Sequence, residues 1–236
     1  MKVKLMSFNI QHFENYNTKQ IDYESFIKLI NKYNPDIIGL NEVYGKGFDK
    51  NIGGIQSEEI ANKLGYYHYF GKATSLFFKP YGNALLSKYP ILEANVIKIP
   101  KVIFKKGTKL YEKRSIIKAK ININGSILTV YVNHLGLNKD EQLKGIKTLI
   151  KLFDNNNFII MGDFNMSYGN KLLTMLESYT IDTATRFKEK LFSWPSDNPK
   201  YKFDYILTSK NIKTISADIP KEVLSDHRPY IAEIDI

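Results

Sequence analysis

The polar residues best suited to chemistry border short apolar segments of this sequence. Asn9 ends an alternating segment, Glu42 ends IIGLNE, and His134 ends YVNH. Five more polar residues occupy the same kind of position: Asp163, Asn165, Asp204, Asp226 and His227. If the apolar segments are strands, these side chains lie at strand ends, where a rigid core can hold them in one cleft.

Side chains of this kind are suited to the hydrolysis of phosphate esters. Asn9, Glu42 and Asp226 offer oxygen ligands for a hard cation, Mg²⁺ or Mn²⁺, which would neutralise phosphoryl oxygens. Asp163 can position or deprotonate the attacking water, and Asn165 can donate a hydrogen bond to the charge that develops.

The two histidines of the set can donate hydrogen bonds to phosphate oxygens. A histidine that must keep its orientation needs a carboxylate behind it, and Asp204 is the candidate for that partner. Taken singly, His134 and His227 would more often be structural histidines, and Asp163 could equally form an Asx turn. Their joint placement at strand ends favours a shared site.

The composition bounds the other possibilities. The chain has 236 residues and no cysteine, which excludes disulfides, thiolate metal sites and a cysteine nucleophile. Its sequence lacks an apolar run of about 18 residues, so we expect no membrane insertion. The N-terminal residues do not resemble a signal peptide, which predicts a cytoplasmic protein, with a trimmed secreted form as the alternative.

The net charge of +10 arises almost entirely from lysine, since the chain has only three arginines. Such a charge attracts nucleic acid, anionic membranes and phosphorylated solutes alike. It could equally reflect a drift in composition, because asparagine, isoleucine and tyrosine are abundant too. The net charge alone therefore does not distinguish a functional basic surface from a drift in composition.

The apolar patterns predict an α/β fold of two sheets. Helices are expected at residues 22–32, 57–64, 140–152 and 171–176. Strands are expected at residues 3–10, 36–40, 66–70, 84–87, 91–99, 115–123, 127–132, 158–161, 203–208, 213–217 and 230–235. Two sheets packed face to face with helices outside accommodate this order, and we expect one domain over residues 1–236.

An ordered series of motifs runs through the chain: SFNIQ, IIGLNEV, YGNALLSKYPI, YVNHLG, IIMGDFNM, KFDYILTS and LSDHRP. Together they resemble the signature of the endonuclease/exonuclease/phosphatase superfamily. The resemblance implies a four-layer α/β sandwich, in which two mixed, mainly antiparallel β-sheets are flanked by helices. It also implies one divalent-metal site at the sheet edges.

The resemblance also assigns roles to the residues of the set. It implies metal binding by Asn9, Glu42 and Asp226. It implies catalytic roles for five residues: His134, Asp163, Asn165, Asp204 and His227. Asp204 would orient His227, and either Asp163 or His227 would act as the base.

Several residues are candidates for determining the substrate specificity. Residues 101–120 hold eight basic residues against one acid, and Arg114 could grip a phosphate with two nitrogens. Asn83 follows an aromatic stretch, and Trp194 could stack on a base. We therefore expect a monomeric nuclease acting on nucleic acid. A small phosphorylated or lipid substrate is the first alternative, and a non-catalytic nucleic-acid-binding protein is the second.

Overall fold

The computed structural model describes residues 1–50, 52–103, 110–154 and 157–236. Within them the helices are α1 (Tyr23–Tyr33), α2 (Gln56–Leu64) and α3 (Lys139–Leu152). Three short 3₁₀ helices cover Gln11–Phe13, Leu173–Leu176 and Thr183–Arg186. The first and third of these were not predicted, and the predicted helix at residues 171–176 corresponds to the second.

The strands form two six-stranded mixed sheets. Their bounds are β1 (Lys2–Asn9), β2 (Ile37–Tyr44), β3 (Tyr67–Leu76), β4 (Lys79–Ser87), β5 (Ile91–Lys98), β6 (Ser115–Ile123), β7 (Ser126–His134), β8 (Phe158–Asp163), β9 (Thr180–Asp182), β10 (Asp204–Ser209), β11 (Lys213–Asp218) and β12 (Tyr230–Asp235). The first sheet has the order β11-β12-β1-β2-β4-β3, and the second has the order β5-β6-β7-β8-β10-β9.

Each sheet has one parallel pair, β1 with β2 and β7 with β8, and its other neighbours are antiparallel. A parallel pair needs a crossover connection, and helices α1 and α3 lie in these two connections. The carboxyl ends of the two strands in such a pair meet at one edge of the sheet. This arrangement gathers the residues that follow β1, β2, β7 and β8.

The sheets pack face to face through the central core. Val3 and Leu5 of β1 lie in it with Val130 and Val132 of β7 and with Met161 of β8. Because side chains alternate along a strand, the intervening residues face outward. The odd-numbered residues of β1 and the even-numbered residues of β7 therefore point between the sheets.

The helices cover the outer faces of both sheets. Phe26 and Ile30 of α1 and Ile60 of α2 pack on the outer face of the first sheet. Ile146 and Leu149 of α3 pack on the outer face of the second sheet. The result is the four-layer α/β sandwich that the sequence predicts.

Side-chain caps fix the start of two helices. The Asp22 side chain accepts a hydrogen bond from the Ser25 backbone at the start of α1, and Asn138 and Glu141 form a capping box on α3. No helix in the described residues is long and apolar enough to span a membrane.

Candidate active site

Four polar side chains continue the inward-facing rows of the two sheets beyond the apolar core. Asn9 ends β1, His134 ends β7, and Asp163 ends β8. Asp204 begins β10 and pairs in register with Asp163 across the antiparallel ladder. Each lies an even number of residues from a core residue of its own strand, so all four side chains point between the sheets.

The Asp163 carboxylate lies at the centre of this group. Its Oδ1 accepts a hydrogen bond of 2.7 Å from the Asn165 backbone, and its Oδ2 accepts one of 3.2 Å from Asn9 Nδ2. The same Oδ2 lies 3.4 Å from Nε2 of His134 and 3.7 Å from Nε2 of His227. Burial raises the pKa of Asp163 above its ordinary value, although the nearby His227 works against that rise.

Gly162, the residue before Asp163, allows the backbone of β8 to lie close to the backbone of β7. A Cβ on Gly162 would lie 1.8 Å from the Asn133 carbonyl oxygen, and the residue has a φ of +143°. Only glycine accepts both conditions without strain. The GDFN motif therefore needs its glycine in order to place Asp163.

His227 is held from behind by a buried carboxylate. Its Nδ1 donates a hydrogen bond of 2.7 Å to Asp204 Oδ2, which leaves Nε2 facing Asp163. Burial by itself would lower the pKa of His227, but the charges of Asp204 and Asp163 outweigh it and raise the pKa to about 10. His227 is therefore an imidazolium at neutral pH.

The Asp204 carboxylate should control this protonation. In the Asp204→Asn variant we expect the pKa of His227 to fall by about one pH unit or more, because a neutral amide no longer stabilises the imidazolium. The His227 Cε1–H resonance, followed by NMR between pH 6 and pH 11, measures it directly.

Asp218→Asn is the matched control, because Asp218 is an exposed aspartate at the end of β11. We expect this substitution to leave the His227 titration unchanged. An unaltered His227 titration in Asp204→Asn would show that the Asp204 charge does not hold the proton.

His134 has the opposite protonation. Arg114 Nη1 donates to His134 Nδ1 over 3.0 Å, and a guanidinium has no acceptor, so Nδ1 must be unprotonated. Burial and the charges of Arg114 and His227 lower the pKa of His134 well below its ordinary value. The neutral ring therefore carries its proton on Nε2, the nitrogen that faces Asp163.

Glu42 reaches this cleft through a break in the alternation of β2. The pairing of β2 with β4 shifts between Leu40 and Val43, and Glu42 lies in this irregularity with a φ of +62°. A left-handed conformation is uncommon for glutamate and persists only where the surrounding structure holds it in place. Asn9 Nδ2 donates a hydrogen bond of 3.0 Å to Glu42 Oε1.

Asp226 completes the acidic side of the cleft. Burial raises its pKa, and the Glu42 carboxylate raises it further. The Glu42 charge also contributes to the raised pKa of Asp163. These effects show that the Glu42 carboxylate repels both Asp163 and Asp226, with His227 as a nearby cation.

This donor set fits a hard divalent cation. Mg²⁺ is commonly held by one or two carboxylates and several water molecules, and an added positive charge would relieve the repulsion between the carboxylates. Glu42 and Asp226 are the residues that could hold it. Asn9 directs its Nδ2 toward Glu42 and Asp163, and its Oδ1 accepts a hydrogen bond from the Gln11 backbone. In this conformation Asn9 orients the two carboxylates.

The structure places the remaining predicted residues in different surroundings. Asn165 has a φ of +52°, and its Nδ2 donates to the Leu135 carbonyl oxygen over 3.0 Å. Trp194 Nε1 donates to Asp226 Oδ2 over 3.4 Å, and the indole packs in a cluster with Phe203 and Tyr201, each ring centroid lying within 6.1 Å of the other two. An aromatic ledge of Trp194, Tyr201 and Phe203 thus adjoins the acidic side of the cleft.

The assignment of Asn83 to substrate binding needs correction. The side chain is 1% exposed, and its Oδ1 accepts a hydrogen bond from Asn41 Nδ2 while its Nδ2 donates to the Ser115 carbonyl oxygen. Both ends of the amide are used between the sheets. Asn83 therefore joins the two sheets and does not face the cleft.

The described basic residues of the segment 101–120 divide between ion pairs with carboxylates and exposed positions beside Arg114. Lys118 pairs with Asp154 over 2.6 Å, and Lys120 pairs with Glu93 over 3.1 Å. The described lysines Lys101 and Lys113 are exposed beside Arg114. Three further lysines of the segment lie outside the described residues: Lys105, Lys106 and Lys109.

Two residues that support the site were not singled out from the sequence. Asn41 Oδ1 accepts a hydrogen bond from the Asp163 backbone over 2.8 Å, and its Nδ2 donates to the Asn133 carbonyl oxygen. Tyr81 is buried beside Glu42, and burial raises the pKa of its hydroxyl. Asn41 could have been suspected, because a polar residue inside a buried strand needs a partner.

Comparisons with known proteins agree with this architecture. The model of the endonuclease/exonuclease/phosphatase family matches residues 6–227. No curated protein sequence matches the chain.

Solved structures share the fold at low sequence identity. An endonuclease/exonuclease/phosphatase from Beutenbergia cavernae is 17% identical over 100% of this chain and 72% of its own, with a TM-score of 0.82. A mannosyl-6-phosphatase from Bacteroides thetaiotaomicron is 13% identical over 99% and 100%, with a TM-score of 0.79. A humanized D. rerio TDP2 is 15% identical over 100% and 99%, with a TM-score of 0.73.

Proposed function

Because this chain belongs to the endonuclease/exonuclease/phosphatase family, whose members are in general hydrolytic phosphoesterases, we propose that it is a Mg²⁺- or Mn²⁺-dependent phosphodiesterase acting on nucleic acid. The observation that carries the proposal is the convergence of His134 Nε2 and His227 Nε2 on one oxygen of Asp163. Two imidazole donors beside one buried carboxylate suit a water molecule attacking a phosphate.

Asp163 is the proposed base. His227 is held as an imidazolium by Asp204 and Asp163, so it has no free nitrogen to accept a proton at neutral pH. Burial moves the pKa of Asp163 upward, toward the range in which a general base is most effective. Asp163 would orient the attacking water and take its proton, and the Asn165 backbone would fix the carboxylate through Oδ1.

The two histidines are the proposed donors to the phosphate oxygens. His134 is neutral with its proton on Nε2, and His227 carries a positive charge. Both Nε2 atoms lie within 4 Å of Asp163 Oδ2, so the same phosphate could contact both. A fixed donor pair stabilises the charge that develops on the phosphorane-like transition state.

A divalent cation held by Glu42 and Asp226 would supply Lewis-acid stabilisation of the leaving oxygen. The aromatic ledge supports nucleic acid as the substrate, because a base can stack on an indole or phenol ring next to Asp226. Lys101 and Lys113, which are exposed beside Arg114 and form no ion pair within the described residues, give further support.

A substrate panel tests the proposal. Purified protein with Mg²⁺ or Mn²⁺ is incubated with plasmid DNA, single-stranded DNA, abasic DNA, end-blocked DNA, RNA and bis(p-nitrophenyl) phosphate, with and without EDTA. A sugar phosphate and a phosphocholine lipid complete the panel. We expect cleavage of at least one nucleic acid and of the small diester, and no cleavage of either in EDTA.

Two results would contradict the proposal at different levels. Release of inorganic phosphate or phosphocholine with every nucleic acid intact would reject the substrate class and retain the hydrolysis of phosphate esters. No turnover of any member of the panel would reject the reaction itself.

A further inference from the structure

A basic cleft adjoins the candidate active site. It has a volume of about 690 Å³, and its basic residues are Lys72, Lys98, Lys101, Lys113 and Arg114. No carboxylate lines it among the described residues. The four lysines are exposed, whereas Arg114 is 7% exposed.

The cleft lies where an edge strand of one sheet meets an edge strand of the other. Lys72 belongs to β3, Lys98 ends β5, and Lys113 and Arg114 directly precede β6. The pairing of β3 with β4 shifts between Lys72 and Thr74, and such irregularities redirect side chains at sheet edges. The positive charges therefore come from three separate segments that the fold brings together.

The lysines of this cleft differ from other lysines of the chain in their partners. Lys32, Lys63 and Lys88 each form an ion pair with a carboxylate. None of the four cleft lysines forms an ion pair within the described part of the chain. Four uncompensated ammonium groups around one concavity favour an anionic ligand with more than one charge.

Arg114 connects this cleft to the catalytic residues. Its guanidinium lines the cleft and donates through Nη1 to His134, whose Nε2 lies 3.4 Å from Asp163. Its Nη2 pairs with Glu112 over 2.8 Å, and its Nε finds no hydrogen-bond partner among the residues that the structure describes. The Arg114 side chain would thus lie between a ligand in the cleft and the histidine that contacts the reacting phosphate.

We propose that the basic cleft binds the backbone phosphates that neighbour the scissile bond in a nucleic-acid strand. This inference rests on the proposed function, since it requires a substrate that continues beyond the reacting group. A cleft of about 690 Å³ exceeds the size of a single phosphate and lies in the range of sites for whole small ligands. The hydroxyls of Thr74 and Ser75 also line it and can donate to phosphate oxygens.

A charge-matched pair of variants tests the proposal. The cleft variant carries Lys72→Gln, Lys98→Gln and Lys113→Gln. The control variant carries Lys188→Gln, Lys210→Gln and Lys221→Gln, which removes the same charge from exposed lysines outside the cleft. Both sets are introduced into the wild type and into Asp163→Asn, and thermal melting monitors folding.

The first readout is the binding of a fluorescein-labelled single-stranded oligonucleotide to the Asp163→Asn proteins, measured by anisotropy between 50 and 200 mM salt. We expect the cleft variant to bind about 10- to 100-fold more weakly at the lower salt concentration. The slope of log K against log salt should become less negative by about 2, since each lost phosphate contact on a single strand removes about 0.7. The control variant should keep the parent slope.

The second readout is the ratio of kcat/KM on the oligonucleotide to kcat/KM on bis(p-nitrophenyl) phosphate. We expect the cleft variant to lower this ratio about tenfold or more, because the small diester has no neighbouring phosphate. Equal binding and equal slopes in the two variants would overturn the cleft proposal. Failure of the wild type to cleave nucleic acid would reject the proposed function, and the binding slopes would still judge the cleft.

Discussion

Asp163→Asn is expected to reduce the rate of phosphodiester hydrolysis by about 10²- to 10⁴-fold, the range associated with loss of a positioned general base. The amide oxygen can still accept the hydrogen bond from the Asn165 backbone, so the loop after β8 should keep its conformation. The loss would therefore report on the chemistry of the carboxylate and not on its packing. Initial rates on bis(p-nitrophenyl) phosphate at saturating Mg²⁺ measure it.

The same substitution should increase the stability of the folded protein at neutral pH, although it lowers the activity. Burial raises the folded-state pKa of Asp163, so the stability that this group contributes is present at low pH and is lost as the pH rises through the folded-state pKa. A neutral amide removes this dependence. Without added metal, we expect the free energy of unfolding of Asp163→Asn relative to wild type to increase between pH 5 and pH 8, by on the order of 1 kcal/mol.

Urea unfolding at the two pH values checks the stability prediction, with Asp218→Asn as the exposed control. We expect the control to retain wild-type activity and to show no such change with pH. Activity within tenfold of the wild type would exclude Asp163 as the base. A large loss of stability at pH 8 would instead indicate that the carboxylate is a structural acceptor for Asn9.

Most of the positioning of the candidate site follows from strand periodicity. In β1, residues 3, 5, 7 and 9 form one row, and the apolar Val3 and Leu5 at its start define the inner face. The same reasoning carries His134 and Asp163 inward at the ends of their strands. The period of two predicts which residues of a strand share a row. In β8, however, both rows are buried and apolar, so only the packing of the two sheets shows that the row of Met161 and Asp163 is the inner one.

Glu42 is the exception to this reasoning. Ile38 and Leu40 face the outer core, so simple alternation would send Glu42 to the outer face as well. The left-handed conformation and the shifted pairing with β4 redirect it. Sequence patterns do not reveal a bulge at a residue that is not glycine or asparagine. The sequence therefore identified Glu42 as a candidate ligand but not the backbone conformation that turns it toward the cleft.

The surroundings of the predicted substrate-binding residues depend on contacts between distant parts of the chain. Asn83 follows an aromatic stretch in the sequence, but the second sheet covers it, and this cover depends on the packing of β4 on β6. Arg114 lies 20 residues before His134, and their contact arises from the pairing of Ile116 with Asn133 in adjacent strands. Contacts between distant segments of this kind depend on register, which local patterns do not specify.

The second large effect is expected from Glu42→Gln. The amide oxygen can still accept the hydrogen bond from Asn9 Nδ2. Glutamine and glutamate have the same side-chain shape, so the strain of the left-handed backbone at this position stays the same. The variant therefore removes mainly the charge. We expect the Mg²⁺ concentration for half-maximal hydrolysis to rise by about 100-fold or more, because the loss of a residue that only supports a metal ligand already costs about 10- to 100-fold. In EDTA, wild type and variant should both be inactive.

A readout that does not depend on turnover separates metal binding from other effects of the charge. Added Mn²⁺ at about 100 times its dissociation constant should stabilise the wild type by about 2.7 kcal/mol against unfolding, because only the folded chain holds the ligands together. Glu42→Gln should show little of this stabilisation. Glu189→Gln, at an exposed position, should respond as the wild type does.

The behaviour of the metal-free variant completes the argument. The Glu42 charge raises the pKa of both Asp163 and Asp226, which means that it disfavours their ionised forms. Removing it should therefore leave the metal-free protein as stable as the wild type or more so, while the response to Mn²⁺ disappears. A metal-free variant that is less stable, or one that keeps the full response to Mn²⁺, would contradict the assignment. The expected pair of results would mean that the carboxylates at this edge of the two sheets lower the stability of the metal-free protein by their mutual repulsion. A bound cation would then restore that stability by neutralising their charge.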